Sequence, residues 1–163
     1  MVTSVDLRQV LLDVAEECHH AAAAKGQDCR IDAPEQPVLV PGSSEELHRM
    51  LANLASNAIK YSPDGSAIDV RISHVDGHVR VSFKDSGIGI SEPDQSRLFR
   101  EFFRSTNPQA LSLPGTGMGL AIVDRIVRRH SGHVDVASSL GEGTTVSVTL
   151  PAWDSALSGS PSS

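Results

Sequence analysis

The chain has 163 residues, of which 39% are hydrophobic and 21% charged, and its formal net charge is −6. This length supports one domain with its own core, and the composition is too apolar for a disordered chain. The acidic balance argues against a nucleic-acid partner, because binding to a phosphate backbone needs a basic surface. The two cysteines, Cys18 and Cys29, are too few for a disulfide framework and lack the spacing of a zinc site. We therefore expect a cytoplasmic protein with reduced thiols.

Hydrophobic periodicity predicts the regular elements. Helices are expected over residues 6–25, 44–61 and 118–130, with Asp6 and either Ser43 or Ser44 as N-caps of the first two. Alternation of apolar and polar residues predicts strands over 37–41, 68–72, 79–83, 134–136 and 145–150. These elements sum to an α+β fold, a two-layer sandwich with helices packed on one face of a mixed, mainly antiparallel sheet.

Two segments stand apart from this framework. Residues 86–117 fit no regular element except a short helical piece at 93–103. A connection of this length in a compact domain is usually functional, so we expect a lid over a ligand. Residues 153–163 are rich in Ser, Gly, Ala and Pro, which predicts a flexible tail after a domain that spans 1–152.

The predicted helix at 44–61 carries a polar ridge. Asn53, Asn57 and Lys60 are spaced by four and three residues, which places them along one side of the helix. Two carboxamides and an ammonium group could hold a hydrated magnesium ion and phosphate oxygens, since magnesium takes few ligands from the protein. Taken alone, the ridge fits a solvated polar face better than a binding site.

A carboxylate follows the predicted strand at 79–83. Asp85 precedes Gly87 and Gly89, and glycines at a strand end allow a flat ligand to approach the backbone closely. An ionised carboxylate only accepts hydrogen bonds, so Asp85 suits an exocyclic amine such as that of adenine. A plain strand-to-loop turn is the alternative.

A glycine-rich segment leads into the predicted helix at 118–130. Glycines at a helix start expose backbone amides, and the positive end of the helix dipole favours an anion. The segment lacks the Gly-Lys-Ser/Thr ending of a Walker loop, so it predicts a different kind of phosphate site. Its residues are Gly115, Thr116, Gly117, Met118, Gly119 and Leu120.

The three motifs, in this order, resemble the N, G1 and G2 boxes of the ATP-binding catalytic domain of sensor histidine kinases. That domain belongs to the Bergerat-fold superfamily, which includes gyrase, the heat-shock-ninety chaperones and mismatch-repair ATPases. Residues 98–104 look like the family's F box, and residues 141–144 look like its last glycine box. The resemblance covers about residues 7–151.

The resemblance implies a role for each motif residue toward Mg-ATP. By similarity, Asp85 accepts from the adenine amine, Gly87 and Gly89 shape the pocket floor, and Thr144 supports that pocket. Asn57 holds the magnesium ion, with Asn53 beside it. Lys60 neutralises phosphate charge, Tyr61 covers the base or the sugar, and Arg104 reaches the terminal phosphate. The glycine-rich segment 115–120 wraps the triphosphate.

One position separates members of the superfamily. The ATP hydrolases and the serine kinases resemble each other in placing a glutamate, the general base, four residues before the magnesium asparagine. Here that position is Asn53, and an amide cannot accept a proton as a carboxylate does. A neutral imidazole needs no such base, so Asn53 favours phosphoryl transfer to histidine.

The resemblance therefore implies transfer of the γ-phosphate to a histidine on a separate dimerisation domain, in cis or in trans, in two-component signalling. A response-regulator receiver domain is then an indirect partner. None of the seven histidines lies in the family's phosphoacceptor motif, and we expect His74, His78, His130 and His133 to be exposed. We expect the isolated domain to be monomeric. We expect it to lie in the cytoplasm, also where it is the cytoplasmic part of a membrane-bound sensor kinase. Three alternatives stay open: half of a split kinase, an anti-sigma-type serine kinase, or a regulatory nucleotide-binding module without transfer activity.

Overall fold

The computed structural model of the chain describes residues 3–87, 120–139 and 141–153. Most of the expected lid and nearly all of the expected tail lie outside these ranges. The described helices are α1 (Leu7–Glu17), α2 (His19–Ala24), α3 (Ser44–Tyr61) and α4 (Leu120–Arg129). The strands are β1 (Thr3–Asp6), β2 (Asp28–Asp32), β3 (Leu39–Gly42), β4 (Ala67–Val75), β5 (His78–Asp85), β6 (His133–Ser139) and β7 (Gly143–Pro151). No described helix is long and apolar enough to cross a bilayer.

Five strands form the main sheet in the order β2-β4-β5-β7-β6, and β1 pairs with β3 in a separate two-stranded sheet. Within the main sheet only β2 and β4 are parallel, and the other three pairs are antiparallel. Helices cover one face of this sheet. The predicted fold class, a mixed and mainly antiparallel sheet with helices on one side, is therefore confirmed.

Alternating residues of the central strands supply the sheet side of the core. Along β5, and along β4 as far as Ile72, every second side chain is buried, whereas the residues between them are exposed or half-buried. The buried set comprises Ile68, Val70, Ile72, Val79, Val81 and Phe83. This two-residue period orients one face toward the helices and the other toward solvent.

Helix α3 spans the predicted residues 44–61, and Ser43 is its N-cap, because its hydroxyl accepts a hydrogen bond from the Glu46 N–H at 3.3 Å. The helix buries one apolar stripe: Leu47, Met50, Leu51, Leu54, Ala55, Ala58, Ile59 and Tyr61. Two acidic residues in its first turn and Lys60 in its last turn complement the helix dipole. Local sequence signals therefore predict the bounds of α3 correctly.

The prediction of one continuous helix over 6–25 is wrong. Asp6 caps α1 as expected, accepting from the Arg8 N–H at 3.1 Å, but the helix stops before Cys18. Cys18 has a ψ of −2°, and its N–H bonds to both Glu16 O and Val14 O. That ψ differs from the helical value of about −42°, so α1 and α2 are two separate helices. The apolar spacing continues across the break and therefore hides it.

The expectation that His130 is exposed is also wrong: only 8% of it is exposed. Its Nδ1 lies 2.7 Å from Ile126 O, and its Nε2 lies 3.2 Å from the Ser43 nitrogen. Since a carbonyl accepts and an amide donates, Nδ1 carries the proton and Nε2 accepts from Ser43. The ring therefore ties the end of α4 to the N-cap of α3. A Cβ on Gly42 would lie 2.2 Å from this ring, so the close approach requires glycine there.

Candidate nucleotide site

Asp85 ends β5, and its carboxylate is held by two backbone amides. Oδ1 accepts from Gly87 N–H at 2.8 Å and from Thr144 N–H at 3.2 Å, and the residue is 9% exposed. The β5–β7 register pairs Asp85 with Thr144 directly, which brings the second amide into reach. Neither bond uses Oδ2, so one oxygen positions the carboxylate and the other can accept a bond from a ligand.

Gly87 lies against the end of α3. A Cβ at this position would sit 2.2 Å from Tyr61 O and 2.9 Å from Asp85 Oδ1. Real side chains do not approach a backbone oxygen so closely, so only glycine permits this contact. Glycine at position 87 was expected to let a flat ligand approach the backbone, whereas the atom that approaches it in the structure is the backbone oxygen of Tyr61.

Thr144 is buried, and its hydroxyl lies 2.8 Å from the hydroxyl of Ser138 on β6. Ser138 donates to Gly143 O at 3.0 Å, so Thr144 must supply the proton between the two hydroxyls. The lone pairs of Thr144 Oγ1 then remain available to accept a hydrogen bond. Ser138 was not predicted, because nothing in the sequence pairs a residue of β6 with one of β7 before the register is known.

One residue of the polar ridge on α3, Asn57, reaches the same region. Asn53, Asn57 and Lys60 are half-buried rather than solvated, and Asn57 lines a small cavity with Asp85 and Thr144. The complete lining is Leu54, Asn57, Ala58, Phe83, Asp85, Leu120, Thr144 and Val146. The cavity measures about 10 Å³, room for about one water molecule, so a base must displace its neighbours to enter.

The rest of the predicted site divides into two groups. Tyr61 is buried, with the Lys60 ammonium 5.3 Å from its ring centroid, and Leu120 begins α4 as a buried cavity-lining residue. The others lie outside the described residues: Gly89, Arg104, Gly115, Thr116, Gly117, Met118 and Gly119.

Lys25 and Gln27 hold the end of α3, and sequence reasoning missed both. The Lys25 ammonium donates to Ile59 O at 2.7 Å, Lys60 O at 3.2 Å and Ser62 O at 2.8 Å. The Gln27 amide Nε2 donates to Ile59 O at 3.0 Å and Ser62 O at 3.1 Å. These carbonyls belong to the last turn of the helix and the residue after it, where the helix lacks internal donors and its dipole is negative.

Replacing Lys25 with methionine is expected to lower the free energy of unfolding by about 1.5–3 kcal/mol, because three carbonyls lose a charged donor. For a domain of this size that corresponds to a drop in Tm of about 3–12 °C. Thermal and urea unfolding measure the change. Lys84→Met, on the exposed face of β5, is the matched control, and equal losses in both variants would contradict this account.

Burial raises the pKa of Asp85, and the amides of Gly87 and Thr144 partly oppose this rise. The carboxyl binds a proton more readily in the folded state than in the unfolded state. It therefore stabilises the fold at pH values below its unfolded pKa, and this stabilisation is lost as the pH rises through its folded pKa. The difference in unfolding free energy between Asp85→Asn and wild type should therefore change in this acidic window and be flat above it. A difference independent of pH would contradict the raised pKa.

Comparison with known proteins identifies the family to which the chain belongs. Residues 42–154 match the model of the family described as histidine kinase-, DNA gyrase B- and HSP90-like ATPases. The chain belongs to this family. The resemblance drawn from the three motifs is thus confirmed.

Particular members of the family match this ATPase domain along most of its length. The sensor-like histidine kinase SenX3 of Mycobacterium tuberculosis is 36% identical over 151 residues, which cover 93% of this chain and 37% of SenX3. The structure of the mycobacterial sensor histidine kinase MprB superposes with a TM-score of 0.81 at 30% identity, covering 93% of this chain and 98% of that one. The full-length ShkA structure in complex with AMPPNP gives a TM-score of 0.78 at 28% identity, covering 93% and 31%. The chain therefore spans little more than a third of the length of SenX3.

Proposed function

We propose that this domain binds Mg-ATP and transfers the γ-phosphate to a histidine on a separate phosphoacceptor domain, as the catalytic part of a sensor histidine kinase. The observation that carries the proposal is the Asp85 carboxylate, positioned through Oδ1 by two backbone amides beside the Asn57 ridge. Family membership supports the same conclusion, since its sensor histidine kinases match nearly all of this chain.

Recognition of adenine follows from the Asp85 geometry. Oδ2 accepts from the exocyclic amine of the base, and the hydroxyl of Thr144 accepts from a water molecule that in turn donates to a ring nitrogen of adenine. Leu54, Ala58 and Phe83 supply the apolar surfaces that flank a flat ring. A burial-raised pKa means that acid weakens binding by protonating the acceptor.

The phosphates would lie along the polar ridge of α3. Among the described residues no group of three or more His, Cys, Asp or Glu side chains could enclose a metal ion. The donor set fits magnesium held mainly by phosphate oxygens and water, with the Asn57 amide oxygen as protein ligand and Asn53 beside it. Bound there, magnesium would offset phosphate charge. Lys60 adds a positive charge to the ridge, and Arg104 and the 115–120 segment are the proposed contacts to the terminal phosphates.

The transfer step requires no base from this domain. The neutral imidazole of the acceptor uses its ring-nitrogen lone pair to form the N–P bond, while the bond between the γ-phosphorus and the bridging oxygen breaks and ADP leaves. The domain's part is to position the phosphate and neutralise charge. We propose a histidine domain in cis or in trans as the partner, and the cytoplasm as the location.

The decisive experiment mixes the chain with γ-labelled Mg-ATP and the phosphoacceptor domain of SenX3. Label on that domain that is lost in acid and kept in base identifies phosphohistidine and supports the proposal. Acid-stable label on a serine-bearing partner would instead indicate a serine kinase. If an ATP analogue fails to bind the folded chain, the kinase proposal is overturned together with the regulatory alternative.

Substituting glutamate at Asn53 should create ATP hydrolysis, because a carboxylate four residues before Asn57 can activate water. A positioned general base contributes about 10²–10⁴-fold, so hydrolysis is expected to rise by about two orders of magnitude. Phosphate release under saturating Mg-ATP measures it. Ser56→Glu, an exposed position on the same helix, is the control. Equal rates in the two variants would contradict the role assigned to position 53.

A further inference from the structure

The C-terminal end of α3 lacks the usual backbone cap. Ser62 is the C-cap residue, with φ −89° and ψ 144°, and Pro63 follows it. In the usual caps, the N–H of the residue after the C-cap bonds to a carbonyl of the last helical turn. Proline has no N–H and holds the residue before it in an extended conformation, so such a cap cannot form here. The carbonyls that this N–H would serve, those of Ile59 and Lys60, therefore need a side-chain donor.

Lys25 supplies that donor. Its ammonium donates to Ile59 O at 2.7 Å and to Lys60 O at 3.2 Å, and a third bond of 2.8 Å reaches Ser62 O. An ammonium has three N–H groups, so these three bonds use its whole donor capacity and leave none for a ligand. Its positive charge also lies at the negative end of the helix dipole. Lys25 therefore acts on the protein and not directly on a nucleotide.

The main chain of Lys25 is fixed to the same region. Its carbonyl accepts from Gly65 N–H at 2.8 Å, and Gly65 belongs to the turn that follows α3. Both the side chain and the backbone of Lys25 therefore hold the chain around the helix end. The amide of Gln27 shares the carbonyls of Ile59 and Ser62 but carries no charge, so it cannot replace the ammonium at the helix dipole.

The last two turns of α3 carry two of the residues proposed to face the phosphates. Asn57 lines the nucleotide cavity, and Lys60 is itself one of the residues whose carbonyl Lys25 binds. Asp85 and Thr144 are held by separate contacts, namely the β5–β7 pairing and the bonds to Asp85 Oδ1. The contacts of Lys25 therefore bear on the phosphate side of the site more directly than on the adenine side.

We propose that Lys25 is a positioning residue for the triphosphate. Its ammonium fixes the last turn of α3 and so sets the distance from Asn57 and Lys60 to Asp85 that a bound Mg-nucleotide requires. Lys25 itself touches neither the nucleotide nor the acceptor histidine. This inference rests on the proposed function, because it needs a nucleotide whose base lies at Asp85 and whose phosphates lie along α3.

The test measures phosphate and adenine contacts separately, on the full chain and at a temperature where circular dichroism shows each variant to be folded. Calorimetry gives the affinity for a non-hydrolysable Mg-ATP analogue, and an NMR titration gives the affinity for adenosine, which has no phosphates. Lys25→Met should weaken binding of the analogue by about 10- to 100-fold, the range observed when a residue that orients a metal ligand is lost. The affinity for adenosine should stay close to that of wild type.

Arg80→Met removes a cation from the exposed face of β5 and is the matched control, for which both affinities should equal those of wild type. Equal losses for the analogue and adenosine in Lys25→Met would indicate a general loosening of the fold and overturn the inference, as would an unchanged affinity for the analogue. If Lys25→Met does not fold, Lys25→Gln, which keeps amide donors without the charge, is measured in the same way. A folded wild type that does not bind the analogue would instead overturn the proposed function and this inference together.

Discussion

Replacing Asp85 with asparagine is expected to weaken binding of a non-hydrolysable ATP analogue by about 10- to 150-fold, the loss of one hydrogen bond to a charged group. Oδ1 is held by the amides of Gly87 and Thr144, so the asparagine oxygen must take that place. Its NH₂ group then occupies the position of Oδ2 and meets the adenine amine donor to donor. Replacing Oδ2 with a nitrogen therefore turns an attractive contact with the adenine amine into a repulsive one.

The fold of this variant should be intact. A buried carboxylate is costly to ionise, so a neutral amide of the same shape should leave Tm unchanged or higher. Calorimetric titration with magnesium present measures the affinity, and Asp135→Asn on the exposed surface of β6 is the matched control. An unchanged affinity of Asp85→Asn for the ATP analogue would show that this carboxylate does not bind the adenine ring.

Replacing Gly87 with alanine is expected to damage both stability and nucleotide binding. The added Cβ would lie 2.2 Å from Tyr61 O, so the end of β5 and the end of α3 must separate. Overpacking of this kind costs about 1–3 kcal/mol, or about 2–12 °C in Tm at this size. The separation also moves the Asp85 carboxylate, so affinity for the ATP analogue should fall by more than tenfold.

Gly141→Ala separates steric overlap from backbone strain. Gly141 has a φ of +80° but open space around its Cβ, so its substitution costs about 1–2 kcal/mol through conformation alone. Affinity should then remain close to that of wild type. If Gly87→Ala binds nucleotide as well as Gly141→Ala does, the contact between Gly87 and the end of α3 does not control the site.

The features that the sequence predicted correctly are those set by nearby residues. The apolar stripe of α3, its Ser43 cap and the strands expected at 68–72 and 79–83 each depend on neighbours in the chain, and all were recovered. Strand β2 was missed, because only Ile31 within it is even half-buried and its alternation is too weak to detect. Its place in the sheet comes from parallel pairing with β4.

The candidate site shows the same division. Asp85 and Asn57 were predicted from their motifs and line one cavity, whereas Lys25 was not predicted, since its contacts lie 34 to 37 residues away. Likewise, the burial of His130 follows from a bond to Ser43 across 87 residues. Such contacts exist only once the fold brings the elements together, and a single sequence carries no local signal for them.

The bond between Thr144 N–H and Asp85 Oδ1 closes a loop of 59 residues, which has a consequence for how the protein folds. Contacts between residues so distant in sequence form slowly, because closing the loop costs conformational entropy before the contact contributes any favourable free energy. A chain that has formed α3 and the β4–β5 hairpin but not the β5–β7 pairing therefore holds the carboxylate through the Gly87 amide alone and lacks Thr144 beside it. A ligand that needs both Asp85 and Thr144 would select only fully folded molecules and, by mass action, would protect them against unfolding and proteolysis.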